Sequence, residues 1–128
     1  MLLVPVRADR SPIHGLGLFA TALIAAGTPI WRRVPGFDRD FTEAEVAALP
    51  EPARQHLRHY GWLDATRQVW VLDGDLAIFL NHSPAPNTGA PGTTGPAAET
   101  VALRDIAKGE ELTCDYHAFD AGQKPIAP

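Results

Sequence analysis

Glycine and proline are the sequence feature that most limits what this chain can fold into. The 128 residues include 11 glycines and 12 prolines, spread along the whole length. Because both residue types interrupt regular structure, the segments between them are short. The pattern predicts a mainly β fold with a short helical insert near the middle, in a single domain over residues 1–128. We expect the core over about 7–120 and a flexible tail over 121–128.

Several short elements are predicted between these interruptions. Strands are predicted at 3–8, 30–34, 68–72, 100–104 and 111–114, with a further strand beginning at Leu18. A helix is predicted after Thr42, because Thr42 and Glu45 form a capping box. A second helical segment is predicted at 52–60. Asp73-Gly74 predicts a hairpin turn, and the composition of 83–96 predicts a loop.

Charge and cysteine content exclude several classes of function. The chain has 11 basic and 15 acidic residues, a net charge of −4, whereas nucleic-acid binding relies on clustered Lys and Arg. No apolar run approaches the ~20 residues that a membrane-spanning helix needs, and the amino-terminal stretch lacks the basic flank of a signal peptide. The single cysteine, Cys114, excludes an intrachain disulfide and a multi-cysteine zinc cluster. We therefore expect no membrane, nucleic-acid or metal binding, and a cytoplasmic location.

Three segments carry residue types that a scaffold does not require. His14-Gly15-Leu16-Gly17 has two glycines one residue apart, which let a backbone approach a ligand closely or form a plain turn. The segment 81–87 ends an apolar run in Asn81, His82 and Ser83, which either bind a ligand or cap a loop. The segment 109–116 ends an alternating strand in Tyr116, whose hydroxyl either serves a reaction centre or lies at an amphipathic edge.

Together, and in this order, the three segments resemble the SET-domain protein lysine methyltransferases. The resemblance spans roughly 7–120. It implies a β-clip-like fold of small sheets with a C-terminal pseudoknot, in which the segment 81–83 passes under the C-terminal segment. It also implies S-adenosylmethionine as the methyl donor and the ε-amine of a lysine in a protein as the acceptor, with a basic protein as one candidate.

The resemblance also implies roles for individual residues. The implied cofactor-binding residues are His14, Gly15, Leu16, Gly17, Asn81, His82, Tyr116 and Phe119. The backbone at His82 would recognise the adenine, and the Asn81 side chain would meet the methionine part. Tyr116 is the implied catalytic residue, which orients the amine rather than acting as a strong base.

Departures from the family pattern carry information of their own. Cys114 stands where relatives often have Phe or Tyr, so the lysine channel is expected to be roomier and to allow di- or trimethylation. Pro84 replaces a cysteine of the zinc-binding relatives, so no zinc cap over the lysine channel is expected. Another element must then cover the cofactor, and Phe119 is expected to be either this aromatic lid or an anchor for the tail. Tyr60 and Trp62 in the insert either line the lysine channel or pack in the core.

Two function classes stay open. One is an active lysine methyltransferase, and the other is a non-catalytic module that keeps the fold for protein binding, with or without the cofactor. The presence of Asn81, His82 and Tyr116 together favours the enzyme. The expected partner is a lysine-containing protein, and a homodimer is possible because so small a domain would complete its peptide groove by pairing. Binding to the substrate would place the protein at chromatin or a nucleoid instead of the open cytoplasm.

Overall fold

The computed structural model describes residues 1–91 and 99–122, and this part of the chain forms ten short strands and two α-helices. The strands are β1 (Val6–Arg10), β2 (Leu16–Ala20), β3 (Pro29–Trp31), β4 (Arg39–Thr42), β5 (Trp62–Asp64), β6 (Val69–Leu72), β7 (Asn81–His82), β8 (Thr88–Gly89), β9 (Thr100–Ala102) and β10 (Glu111–Cys114). The helices are α1 (Glu43–Ala48) and α2 (Glu51–Tyr60), with short 3₁₀ helices at Leu76–Phe79 and Tyr116–Ala118. The predicted mainly β fold with a helical insert is confirmed.

The strands form three small sheets. One has four strands in the order β1-β2-β10-β7, and the other two have the orders β3-β9-β8 and β4-β6-β5. Within the named strands, β10 and β7 are the parallel pair, with Thr113 opposite Asn81 and Cys114 opposite His82. A parallel pair requires a long return connection, so segments far apart in the sequence lie side by side at this edge.

The hydrophobic core connects the first two sheets. Its buried members are Leu18, Ala20, Ile24, Ile30, Ala102, Ile106 and Leu112, and Leu2, Val4 and Val6 pack against them. Leu18, Ile30 and Leu112 have no exposed surface, and burying a side chain of this kind contributes roughly 1.5–3 kcal/mol. This packing holds β2 and β10 together and so determines where the segment after β10 emerges.

The helical insert follows its local sequence signals. The Thr42 hydroxyl accepts a hydrogen bond from the Glu45 amide, and the Glu45 carboxylate accepts one from the Thr42 amide, which confirms the capping box. Gly61 caps the C-terminal end of helix α2, and its amide donates to Leu57 O at 2.8 Å. Leu57, 2% exposed, anchors α2 to the rest of the fold.

Two local predictions were wrong. Asp73-Gly74 does not turn a hairpin, because the chain continues into the 3₁₀ helix Leu76–Phe79. Gly74 instead permits close packing, since a Cβ there would lie 2.1 Å from Phe37 O. Strands β4, β5, β7 and β8 lie where no strand was predicted. Strands β4 and β5 both pair with β6, and β8, inside the segment predicted as a loop, pairs with β9. Such short strands have too little alternation to be recognised before the pairing is known.

Part of the predicted loop and most of the predicted tail lie outside the described residues, which exclude 92–98 and 123–128. Ala121, at the start of the predicted tail, donates its amide hydrogen to Leu63 O at 3.0 Å. Gly122 lies against Trp70, where a Cβ would approach the ring to 2.7 Å. In the described part of the chain, every helix is too short or too polar to cross a bilayer.

Glu110 stabilises the turn before β10 in a pH-dependent way. Its hydrogen bond from Arg104 (2.5 Å), with a further bond from the Ala107 amide, lowers its pKa to about 2. Because this pKa lies below that of the unfolded chain, the stabilisation is present above about pH 4.3 and is lost as the pH falls towards 2. Replacing Glu110 by Gln should therefore lower the free energy of unfolding at pH 7 by about 1 kcal/mol, a small value because Arg104 is exposed.

Denaturant unfolding at several pH values between 7 and 3 checks this prediction. The difference between the wild type and Glu110→Gln should stay nearly constant from pH 7 to about pH 5 and then shrink as the pH falls towards 3. Glu43→Gln, an exposed residue at the start of α1, is the matched control. A difference that stays constant over this range would contradict the proposed ion pair.

Candidate active site

The second and third sequence motifs are interlocked by buried hydrogen bonds. The Asn87 side chain accepts from the Thr113 amide at 2.8 Å and donates to Glu111 O at 2.8 Å. The Thr88 hydroxyl donates to Thr113 O at 2.7 Å. Since Asn87 and Thr88 are both almost fully buried, these bonds form away from water and fix β10 against the segment 81–88. With the pairing of β7 and β10, these bonds hold the segment 81–88 beside β10.

Asn81 joins the first motif to the other two. Its side-chain nitrogen lies within hydrogen-bonding distance of His14 O (3.0 Å), Leu16 O (3.1 Å) and Glu111 Oε2 (3.0 Å). Both oxygens of Glu111 also accept from the Ser11 hydroxyl, at 2.9 and 2.8 Å. We call this set of contacts the Asn81 clamp. Asn81 is only 6% exposed, so these contacts replace water for a buried amide.

The two glycines of the first motif serve different purposes. A Cβ at Gly17 would lie 2.2 Å from Glu111 Oε2, so Gly17 gives the clamp its space. Gly15 has a φ of +46°, in the left-handed region that glycine favours. A Cβ at Gly15 would meet no atom within 4 Å, so this side of the loop is open, and the neighbouring Leu16 is 44% exposed.

Tyr116 is held by both its backbone and its hydroxyl. Its amide donates to His82 Nδ1 at 3.1 Å, and its hydroxyl donates to Leu80 O at 2.7 Å. Its ring centroid lies 5.3 Å from that of His82. Burial, reinforced by the nearby Cys114 and Asp120, raises the pKa of the Tyr116 hydroxyl well above its usual value. The phenol therefore stays protonated at neutral pH.

A cavity of about 580 Å³ lies next to Tyr116. Its wall includes Tyr116, Cys114, Tyr60, Trp62 and Phe119. The Phe119 ring stands edge-on to Trp62 at 5.4 Å and to Tyr116 at 6.3 Å between centroids. Cys114 is 5% exposed, whereas Phe119 is 42% exposed at the margin.

Phe119 is positioned by the segment that follows it. The Asp120 carboxylate accepts from the amides of Leu63 (3.0 Å) and Gly122 (2.8 Å). Because Leu63 belongs to β5, the bond to its amide holds the C-terminal segment against the β4-β6-β5 sheet. The Phe119 ring is thereby held against Trp62 in the cavity wall.

The fold thus divides the predicted site residues into two groups that meet at Tyr116. The loop 14–17 is tied to Asn81, which precedes His82 in β7, and His82 contacts Tyr116. Tyr60, Trp62, Cys114 and Phe119 line the cavity that Tyr116 also borders.

Sequence reasoning missed two groups in this site. They are the Glu111 carboxylate of the clamp and the Leu80 carbonyl that accepts from Tyr116. Glu111 belongs to the third motif, but its local pattern does not show that it faces Gly17. Among the described residues, no group of three or more His, Cys, Asp or Glu side chains could hold a metal ion.

The SET domain family model matches residues 15–117. The chain is 35% identical over 122 residues to an Aspergillus fumigatus protein named histone-lysine N-methyltransferase, H3 lysine-4 specific, covering 88% of this chain and 9% of that protein. It is 32% identical over 118 residues to human histone-lysine N-methyltransferase 2D, covering 87% of this chain and 2% of the human protein. The chain therefore spans less than a tenth of the length of both relatives.

Solved structures share the fold. The Neurospora SET domain protein DIM-5, a histone lysine methyltransferase, matches with a TM-score of 0.60 and 24% identity, over 90% of this chain and 53% of that one. A structure of ctPRC2 in an autoinhibited conformation bound to S-adenosylmethionine matches with a TM-score of 0.65 and 21% identity, over 91% of this chain and 16% of that one.

Proposed function

The chain belongs to the SET-domain family, and we propose that it transfers a methyl group from S-adenosylmethionine to the ε-amine of a lysine in a protein. The observation that carries this proposal is the position of Tyr116. Tyr116 lines the cavity, and its ring and amide contact His82 of the motif-bearing segment. A residue that touches both the cavity and this segment is suited to orienting two reactants.

The residues of the first and second motifs fit the proposed cofactor. Gly15 leaves one side of the loop open, and Leu16 offers exposed apolar surface beside it. Adenosine needs such a mixed apolar and backbone surface, and we assign its binding to His14, Leu16 and His82.

The chain's own contribution is positioning. When bound, S-adenosylmethionine supplies an electrophilic methyl group. Because the Tyr116 hydroxyl donates its hydrogen to Leu80 O, it would meet the incoming amine as a hydrogen-bond acceptor. Alignment of this kind supplies up to ~7–11 kcal/mol in favourable cases. The apolar surroundings of the cavity disfavour a charged lysine and so lower its pKa towards the reactive neutral amine.

We propose a basic, chromatin-type protein segment as the substrate. The support comes from the two relatives named histone-lysine N-methyltransferases. This favours an association with chromatin through the substrate over the cytoplasmic location expected from the single cysteine, for which the relatives offer no support. We also propose that residues 7–120 act as one catalytic domain, and homodimerisation stays a prediction.

Incubation with radiolabelled S-adenosylmethionine and a mixture of purified histones and proteome extract tests the function. Label on discrete protein bands is expected, with the heat-denatured protein as control. Binding of the cofactor without transfer of label would instead support the non-catalytic module. Absence of both binding and transfer would contradict the proposed function and its cofactor.

Cys114 is proposed to set the number of methyl groups transferred. It lines the cavity beside Tyr116 and is buried, so its small side chain leaves room for an amine that already carries methyl groups. The wild type should form di- or trimethyllysine, and Cys114→Phe should shift the product towards monomethyllysine. Mass spectrometry of a methylated peptide measures the ratio of products.

The comparison variant for this prediction is Cys114→Ser, which keeps the size of the side chain. It should retain the product distribution of the wild type even if stability falls. Because overpacking a buried site costs roughly 1–3 kcal/mol, the ratio of products within each variant is compared rather than the yield. A wild type that stops at monomethyllysine would contradict the proposal.

A further inference from the structure

The segment 80–82 holds Tyr116 at two points, the hydroxyl and the backbone amide. The Leu80 carbonyl accepts from the Tyr116 hydroxyl at 2.7 Å, and His82 Nδ1 accepts from the Tyr116 amide at 3.1 Å. The backbone of His82 is itself fixed, because β7 pairs with β10 at this residue. The imidazole therefore reaches from a strand of the first sheet to the first residue of the 3₁₀ helix Tyr116–Ala118.

The bond between His82 and Tyr116 specifies the protonation state of the imidazole. A ring nitrogen accepts a hydrogen bond only when it carries no proton, so the His82 ring is neutral and has its proton on Nε2. The His82 side chain is only 10% exposed, so the bond lies largely out of contact with water. Imidazole groups ordinarily change charge between about pH 5 and 8. A proton taken up by Nδ1 from solvent would abolish the bond to the Tyr116 amide.

A carboxylate lies beside the same nitrogen. Asp115 Oδ1 is 3.6 Å from His82 Nδ1 and accepts from the His117 amide at 2.9 Å. Once protonated, Nδ1 would donate to this carboxylate instead of accepting from the Tyr116 amide. The other titratable groups that the described residues place against His82 are His117, with its ring centroid 5.4 Å away, Tyr116 at 5.3 Å and, across the β7–β10 pairing, Cys114. Asp115 attracts a positively charged ring, whereas a charged His117 repels it.

We propose that the His82 side chain positions Tyr116 for methyl transfer and does so only while its imidazole is neutral. This inference rests on the proposed methyl transfer, because it concerns the residue assigned to orient the amine. It gives the side chain a role beside the cofactor contact already assigned to His82. Protonation moves the bond of Nδ1 from the Tyr116 amide to Asp115 and so removes one of the bonds that hold the backbone of Tyr116. Methyl transfer should then weaken as the pH falls.

Nuclear magnetic resonance of the isotope-labelled protein tests this coupling without enzymatic turnover. As the pH is lowered from about 8 to about 5, the Tyr116 amide signal should move together with the His82 ring signals, with a common midpoint. His82→Asn is the matched variant, since its side-chain oxygen can accept the same bond but takes up no proton. Its Tyr116 amide signal should stay unchanged over this range. His117→Asn, which removes the neighbouring imidazole, should keep the wild-type transition.

The rate of methyl transfer gives the kinetic counterpart. Every variant loses rate at low pH as the target lysine becomes charged, so the informative quantity is the difference between two variants. From about pH 8 to about pH 5, kcat of the wild type should fall about tenfold more than kcat of His82→Asn, a loss in the range of one hydrogen bond. His82→Leu offers no acceptor, so its kcat at high pH should be about tenfold below that of His82→Asn, while KM for a lysine peptide changes by less than about threefold.

These measurements separate positioning from a purely structural role of His82. A Tyr116 amide signal that follows the His117 ring, or that moves equally in His82→Asn, would overturn the proposal. So would equal kinetic losses in the wild type and His82→Asn. If His82→Asn yields no folded protein, the spectra of the wild type and His117→Asn decide whether the Tyr116 amide follows the His82 ring.

Failure of the proposed methyl transfer is distinguishable from failure of this inference. If no protein variant transfers label, a Tyr116 amide signal that moves with the His82 ring and stays fixed in His82→Asn would support the coupling although the enzymatic function had failed. A Tyr116 amide signal that does not respond to the charge of His82 would overturn the coupling, whether or not label is transferred.

Discussion

Replacing Tyr116 by Phe should lower kcat for methyl transfer by about 10²-fold, because the reacting amine loses the oxygen that orients it. The ring contact with His82 and the backbone bond to His82 Nδ1 do not depend on the hydroxyl. The dissociation constant for S-adenosylmethionine should therefore change by less than about threefold. Radiolabel transfer measures the first quantity and isothermal titration calorimetry the second.

The pH profile distinguishes orientation from base catalysis. Burial raises the pKa of the Tyr116 hydroxyl, so the phenol stays protonated between about pH 6 and 9. The profiles of the wild type and Tyr116→Phe should then have the same shape over that range. A rise or fall of the transfer rate with pH that is present in the wild type and absent in Tyr116→Phe would contradict the orienting role. Equal losses of methyl transfer and of cofactor affinity would contradict it as well.

Tyr60→Phe is the matched change in the chain's other tyrosine. The Tyr60 ring packs against His59 at 4.5 Å and Phe79 at 5.8 Å between centroids, and phenylalanine keeps those contacts. We expect a smaller loss of kcat than in Tyr116→Phe. A loss of equal size would assign the catalytic effect to the cavity wall in general rather than to the Tyr116 hydroxyl.

Replacing Asn81 by Ala should lower the free energy of unfolding by about 3 kcal/mol. The change removes the amide that contacts His14 O, Leu16 O and Glu111 Oε2, and it leaves a partly buried carboxylate oxygen without this donor. Because these contacts join all three motifs, cofactor affinity and methyl transfer should fall together. Denaturant unfolding at pH 7 measures the stability.

Ser83→Ala provides the control for this prediction. The Ser83 hydroxyl accepts from the Ala85 amide in the exposed loop after β7, so its loss should cost much less. If Asn81→Ala kept the wild-type stability and lost only cofactor affinity, the Asn81 amide would act on the ligand rather than in the clamp. That outcome would support the cofactor-binding role that the family resemblance implies for Asn81.

The three motifs could be recognised from the sequence because each is a local run of residues in a distinctive order. The same is true of the capping box at Thr42 and Glu45 and of strand β10, whose predicted bounds match the structure. The Asp73-Gly74 prediction failed because its local turn signal competed with a tertiary contact. Gly74 packs against Phe37 O and donates to Asp38 Oδ1, and both edges of β6 are already paired, with β4 and β5.

The sequence alone therefore determined the family, the mainly β class and most members of the candidate site, because these depend on residue order and on local periodicity. Only the tertiary structure decided how they are arranged. It showed that Gly17 makes room for Glu111, that Asn81 joins all three motifs, and that the cavity wall reaches Trp31 and Asp73. Each of these contacts joins residues far apart in the chain, and their relative positions follow from sheet pairing and core packing rather than from any local pattern.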